Sequence, residues 1–185
     1  MASTDTMAKD VVRGEDRVTS AAGRKVLAVL RIIIGFYFLW AFIDKTFGFG
    51  FATAHEKAWI RGGTPAQGFI KFVAAKSPFS GFFNLFANSF GDILFMLGLL
   101  AIGTALILGI GLKVTSVAAP LLLLFMYLAE WPIATGGTED AATNPIVDDH
   151  WVMAFAIIFF MLVRAGDTWG LGKWWRGLVD ESWLR

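Results

Sequence analysis

A long apolar stretch with charged residues near both ends constrains this chain more than any other feature. It runs from Lys25 to Phe47 and reads KVLAVLRIIIGFYFLWAFIDKTF. As a helix it would extend roughly 34 Å, slightly more than the hydrocarbon core of a bilayer. Arg31, Phe38 and Lys45 are spaced by seven and share one helix face. A charge at the centre of a membrane helix costs about 2.5–3.5 kcal/mol, so Arg31 must face an interface, protein or water.

The composition supports the same class. Apolar residues make up 56% of the 185-residue chain and charged residues only 17%, more apolar surface than a soluble domain of this size can bury. Eight Trp and eighteen Phe suit a surface that meets lipid and headgroups. The sequence therefore predicts an integral membrane protein whose surroundings are membrane lipids.

Several kinds of chemistry are excluded at this level. The chain has no cysteine, which removes disulfides, thiolate metal sites and iron–sulfur clusters. Its two histidines, His55 and His150, are too few for a pair of bis-histidine haems. We find no dinucleotide-binding GxGxxG after a strand, and we predict no metal site. The net charge of +1 and the lack of a basic patch with aromatics argue against a nucleic-acid partner.

Four apolar segments define the predicted fold class, an all-α integral membrane protein built as an antiparallel bundle of four transmembrane helices. The predicted spans are residues 25–47, 90–111, 113–131 and 149–168. Only Leu112 separates the second span from the third, so we expect these two helices to form a tight hairpin. Ala101, Ala105 and Gly109 recur at intervals of four and predict a closely packed helix face.

The remaining segments complete the predicted domain organisation. Residues 1–24 are polar and predict a disordered cytoplasmic tail, ahead of a membrane domain over 25–168. The loop at 48–89 is rich in Phe and predicts short helices in the outer interface, and 169–185 predicts an amphipathic interfacial helix. Lys and Arg concentrate on the side of both termini, which predicts a multi-pass bacterial plasma-membrane protein with both termini cytoplasmic.

Ionisable residues gather at the predicted outer ends of the spans: Asp44, Lys45, Asp92, Glu130, Asp148, Asp149 and His150. Those at helix N-termini are accounted for by the helix dipole, and Asp148 or Asp149 fits an N-cap. Asp44 and Glu130 lie at C-termini, where the dipole disfavours an anion, so each needs a partner on another helix or a ligand.

A polar pocket with aromatic walls at this end suits a quinone, whose carbonyls accept hydrogen bonds and whose reduced form releases protons. The residues we expect in catalysis are Lys45, Glu130, Asp92 and His150. Those expected to bind the quinone are Lys45, Asp44, Tyr127, Trp131, Asp149 and Arg31. In this hypothesis Lys45 donates to a quinone oxygen, Glu130 or Asp92 takes a proton, and His150 with Asp149 relays it outward.

The sequence also resembles a known family. Arg31-x-x-x-Gly35 leading to Lys45, followed by the hairpin GLLAIGTALILGIGLKVTSVAA, is similar to the DoxX/DoxD family, whose members resemble the membrane subunit of thiosulfate:quinone oxidoreductase. The resemblance covers residues 25–172. Residues on either side of the fourth span fit as well: Asp148, Asp149, His150 and Gly166. Where many members carry an acid within the second span, this chain has its nearest acid at Asp92.

The resemblance implies a four-span fold and a quinone-linked redox reaction, performed as an oxidoreductase subunit together with a partner. Two alternatives stay open. The chain could be a non-catalytic subunit that anchors or assembles another membrane or extracytoplasmic protein, or it could be a small transporter or lipid-binding protein. The sequence leaves homo-oligomerisation, and whether the chain is an enzyme at all, undecided.

Overall fold

A computed structural model describes residues 18–131, 144 and 146–185. These residues form α-helices and short 3-10 turns, with no strand among them. The α-helices are α1 (Ala21–Phe47), α2 (Pro65–Phe72), α3 (Ser80–Asn84), α4 (Ser89–Leu108), α5 (Leu112–Glu130), α6 (Asp149–Leu162) and α7 (Gly172–Val179). The all-helical prediction is confirmed for the described residues.

Three helices, α1, α4 and α5, are long and apolar enough to cross a membrane. The predicted fourth span, 149–168, is not helical throughout, because α6 ends at Leu162 and has 14 residues. Arg164 then adopts a left-handed conformation, with φ at 53°, and a 3-10 turn follows at Ala165–Asp167. A helix of that length extends only roughly 21 Å.

The core lies where the four longer helices meet. Helix α1 packs mainly against α4, and α5 mainly against α6, while α4 and α5 contact each other less. The expected hairpin is present, with α5 beginning soon after α4 ends, but it is not the main packing unit. Phe38, Met96, Leu106, Leu123 and Phe160 are buried at the centre. On α1, Arg31 and Phe38 are buried and Lys45 is half-buried, as their spacing predicts.

Small residues bring α1 and α4 together, though not the ones expected. Ala101 is exposed and Ala105 only half-buried. The buried face of α4 instead includes Gly103, where a Cβ would lie 2.7 Å from the backbone nitrogen of Leu39. A Cβ at Gly35 on α1 would lie 2.9 Å from the backbone nitrogen of Ile107 on α4. A glycine on each helix therefore allows the close approach. The face of α4 that packs on α1 is rotated from the face predicted by the four-residue spacing.

The long loop after α1 contains α2 and α3, as its composition predicts. Asp92 in the first turn of α4 holds α2 in place: its Oδ1 accepts from the backbone N–H groups of Ala66 at 2.8 Å and Gln67 at 3.2 Å. Its Oδ2 accepts from Gln67 Nε2 at 2.6 Å. Thr64, the residue at the N-cap of α2, makes no capping bond. Asp92 therefore supplies the missing cap from another helix.

Arg31 joins three elements at the other end of the bundle. Its side chain is fully buried and donates to the carbonyls of Leu106 and Ile107 in the last turn of α4. It also donates to the carbonyls of Thr168 and Trp169 beyond α6. Carbonyls at helix ends lack intrahelical partners, and a cation there complements the helix dipole. The guanidinium thus supplies hydrogen bonds to the backbone carbonyls at the end of α4 and in the turns that follow α6.

The C-terminal segment folds against the same end. Lys113 Nζ donates to the carbonyls of Glu181 and Ser182 at 2.9 Å each. Arg185 is buried and pairs with Glu181, and its Nη2 lies 3.7 Å from Asp167 Oδ2. Helix α7 covers only Gly172–Val179 of the predicted 169–185, and it leaves Trp174 and Leu178 exposed. The tail predicted at 1–24 lies mostly outside the described residues, and α1 already begins at Ala21.

Candidate functional site

The start of α6 holds an imidazole in place with a carboxylate. Asp148 is the N-cap of α6, and its Oδ1 accepts from the backbone N–H of His150 at 3.1 Å. Its Oδ2 lies 2.9 Å from His150 Nδ1, and Asp149 Oδ1 lies 3.6 Å from the same nitrogen. His150 is only 8% exposed. A carboxylate at Nδ1 favours the tautomer that carries the proton there, which leaves Nε2 as the acceptor.

Glu130, the last residue of α5, faces this pair. Glu130, Asp148 and His150 each have a donor atom within 4.8 Å of the others. Two carboxylates and an imidazole at this spacing are a donor set that a divalent cation could use. The sequence predicted no metal site, and this grouping arises only because α5 ends beside the start of α6.

An apolar groove leads away from the cluster. It lies between α5 and α6, has a volume of about 430 Å³, and runs from His150 and Tyr127 at one end towards Ser116 and Ile158 at the other. Its walls are mainly aliphatic and aromatic, and they include Val117, Pro120, Leu124 and Phe155. A groove of this shape suits a ligand that has a polar head and an apolar tail.

Tyr127 and Trp151 line the end of the groove beside His150. The Tyr127 hydroxyl donates to the Ile146 carbonyl at 3.1 Å, and its ring meets Trp151 edge-on at a centroid distance of 5.3 Å. The hydroxyl of Tyr37 on α1 is within electrostatic range of Asp149 and Glu130. Tyr37 was not predicted from the sequence. Its only sequence signal is its position on α1 two helical turns before Lys45.

Trp131 turns to the other side of α5. Its ring meets Phe79 edge-on at 5.2 Å, so it packs against the loop that carries α2 and α3. The same loop is tied to α5 by Ser77, whose Oγ donates to the Leu128 carbonyl at 2.6 Å. Trp131 therefore borders the end of α5 without lining the groove.

Asp44 and Lys45 form a separate pair at the end of α1. Asp44 is almost completely buried, and its Oδ2 accepts from the Ala52 backbone N–H at 3.0 Å. Its Oδ1 has no partner among the described residues. Lys45 is half-buried and makes no hydrogen bond or ion pair within the part of the chain that the structure describes. Asp44 fixes the start of the loop, and no described contact of Asp44 or Lys45 reaches Glu130 or His150.

The predicted site residues thus divide into groups. The structure brings together Glu130, Asp149 and His150, with Tyr127 beside them. Asp92 is occupied as the cap of α2, and Arg31 lies at the opposite end of the bundle. Asp148, which was read only as an N-cap, is the closer partner of His150. An Asp at the N-cap followed two positions later by His is the signal that could have found it, because an N-cap side chain folds over the next residues.

Comparison of the chain with protein-family models, with curated proteins and with solved structures gave no match. The class that the fold and the cluster define is an all-helical protein with three helices able to cross a membrane and an acid–imidazole cluster at the end of an apolar groove.

Proposed function

We propose that this chain is a DoxX-like membrane subunit that binds a quinone in the groove between α5 and α6 and serves a quinone-linked redox reaction. The observation that carries the proposal is the meeting of an apolar groove with a buried, carboxylate-oriented imidazole at one end. An isoprenoid-like tail fits along Val117, Pro120 and Phe155. The ring then lies beside His150 and Tyr127.

The residues at the head of the groove suit proton exchange with such a ring. A bound quinone would supply two-electron chemistry coupled to two protons, with electrons exchanged with an outside donor or acceptor. His150 Nε2 exchanges a proton with the ring oxygen, while Asp148 at Nδ1 stabilises the imidazolium. Glu130 and Asp149 lie on the outward side and receive the proton next. Lys45 and Asp92 are not needed in this arrangement.

The proposal includes a topology of four membrane crossings with both termini cytoplasmic, in a bacterial plasma membrane. Helices α1, α4 and α5 cross unaided, and α6 crosses together with the turns up to Thr168. Non-helical backbone is tolerated at membrane depth where protein satisfies it, and Arg31 bonds the carbonyls of Thr168 and Trp169. The exposed aromatic side of α7 then rests on the inner headgroups.

Quinone content tests the proposal directly. The purified protein is extracted with organic solvent and the quinone is quantified by absorbance, and a short-chain quinone is titrated into the delipidated protein. We expect close to one quinone per chain and a saturable titration. A folded protein with no extractable quinone and no saturable titration would contradict the proposal.

Two matched pairs of variants locate the site. His150→Ala removes one hydrogen-bonding group and should weaken quinone binding about fivefold, while His55→Ala, on an exposed loop, should not. Val117→Trp fills the groove, whereas Val114→Trp places the same bulk on an exposed part of α5 outside it. Equal effects within either pair would place the ligand elsewhere.

One observation favours a second function, that of a non-catalytic subunit assembled with another protein. The outer loop leaves a group of large apolar side chains exposed: Phe72, Phe79, Phe82 and Leu85. Such residues suit either lipid or a protein surface. A stable partner recovered by cross-linking through this loop, from a protein that holds no quinone, would support the assembly role over the redox role.

A further inference from the structure

Three side chains bring metal-binding atoms together where α5 ends beside the start of α6. One ligand atom each from Glu130, Asp148 and His150 lies within 4.8 Å of the other two. Helices α5 and α6 form one of the two main packing pairs of the bundle, so their contact holds this spacing. Ligand atoms on one small cation lie roughly 3–4 Å apart, because each is about 2 Å from the metal. The exposed side chain of Glu130 is able to close the remaining difference.

The carboxylates of this group have no basic partner. Glu130 makes no hydrogen bond or ion pair with any described residue, and it ends α5, where the helix dipole disfavours an anion. The charged groups that act on it are His150, Asp148 and Asp149, of which only the imidazole can carry a positive charge. Within residues 18–131, 144 and 146–185, no Lys or Arg pairs with these three acids. The negative charge collected here therefore lacks a cation.

The state of His150 is a second and independent indication of a ligand. The residue is only 8% exposed. Its Nδ1 lies 2.9 Å from Asp148 Oδ2, whereas its Nε2 makes no hydrogen bond or ion pair with any residue that the structure describes. A buried polar atom without a partner costs free energy, which a bound metal would recover. Either nitrogen of a neutral imidazole can bind a metal, Nε2 as it stands and Nδ1 by exchanging its proton for the ion.

We propose that Glu130, Asp148 and His150 bind a divalent transition-metal ion of the zinc class at the end of the groove. One imidazole and two carboxylates suit Zn²⁺, and three protein ligands leave its fourth position to water. Ca²⁺ and Mg²⁺ fit less well, because both prefer oxygen donors and Ca²⁺ takes roughly six to eight of them. The charge of the ion balances the two carboxylates, and its ligands join α5 to α6. The inference does not rest on quinone binding, although it uses residues at the same end of the groove.

Metal content and thermal unfolding test the site. The full-length protein is purified in detergent, its affinity tag is removed, and it is stripped with EDTA. Zn²⁺ should raise the melting temperature more than Mg²⁺ or Ca²⁺ does at the same concentration, and the desalted protein should retain close to one zinc per chain by plasma mass spectrometry. Glu130→Gln keeps the size of an exposed side chain and should weaken zinc binding about tenfold or more, and His150→Ala should do the same.

Two control variants separate the site from a diffuse acidic surface. Asp149→Asn removes the same charge from the residue between Asp148 and His150, outside the group of three. His55→Ala removes the other histidine of the chain, on an exposed loop. Both should bind zinc as the wild type does.

Three results would overturn the site: no retained zinc, equal stabilisation by the three cations, or equal weakening by Glu130→Gln and Asp149→Asn. A protein that binds zinc and no quinone would support this inference and contradict the quinone proposal. A protein that binds quinone and no zinc would do the reverse.

Discussion

A glycine packed against Arg31 offers the sharpest test of how the bundle is held together. Gly109 follows α4 with φ at 70°, a backbone conformation that favours glycine. A Cβ there would lie 2.7 Å from Gly166 Cα and 3.0 Å from Arg31 Nη1. Gly109→Ala therefore meets two costs, one from the backbone and one from crowding of the buried guanidinium.

The two costs can be separated with a matched variant. Gly62 has φ at 87° and nothing within 4 Å of an added Cβ, so Gly62→Ala carries the backbone cost alone. That cost is about 1–2 kcal/mol. Overpacking adds about 1–3 kcal/mol at Gly109 only, so the free energy of unfolding should fall by about 2–5 kcal/mol in Gly109→Ala.

Unfolding followed by far-UV circular dichroism in detergent measures both variants. For a chain of this size the extra cost corresponds to a melting temperature roughly 2–12 °C below that of Gly62→Ala. If the two variants melt together, Gly109 is not packed on Arg31 as described, and the pinning of α4 by the guanidinium is refuted. Gly170→Ala, whose Cβ would lie 3.0 Å from Arg31 Nη2, gives an independent second reading.

Three further predictions concern the outer loop and the C-terminal segment. Asp92→Ala leaves the N-terminus of α2 without its acceptor and should lower the free energy of unfolding by about 2–4 kcal/mol, and trypsin should cut faster after Lys71; unchanged cleavage would refute the capping role. Ser77→Ala should cost about 1 kcal/mol in denaturant unfolding, and no loss would mean that its bond to α5 is not formed. The hydrogen bond from Arg185 lowers the pKa of Glu181, so the unfolded state binds the proton more readily and the stabilisation is lost as pH falls below about 4.3. Glu181→Gln should flatten that acid dependence, measured by tryptophan fluorescence, and an unaltered profile would contradict the pairing.

Helix positions were largely readable from the sequence because apolar runs of sufficient length specify them. Helices α1, α4 and α5 begin and end within a few residues of the predicted spans. The end of α6 was not readable, since its apolar run continues to Val163 and the break depends on Gly166 packing against Gly109. The rotation of α4 was missed for a related reason. Ala101, Ala105 and Gly109 follow a four-residue spacing, whereas Gly103 belongs to no such series, and only its close approach to Gly35 and Leu39 of α1 shows that it lies in the interface.

The candidate site was predicted in part, and the reason is its mixture of local and distant contacts. The partners of His150 are its neighbours Asp148 and Asp149, so the sequence pattern around it is enough to predict them. The role of Asp92 depends on a loop helix 26 residues earlier, and no periodicity reports that partner. The prediction of a single pocket assumed that ionisable residues at the same end of the helices must contact one another. Asp44 and Asp92 instead satisfy loop backbone.

The carbonyls that accept from Arg31 have a consequence for how the protein is made. They lie 75 to 138 residues further along the chain than the arginine itself. A ribosome therefore synthesises the cationic helix α1 long before the acceptors of Arg31 have been made. Until translation reaches Trp169, the buried guanidinium lacks part of its acceptor set, so chains that stop before this point should be the ones that quality-control proteases remove.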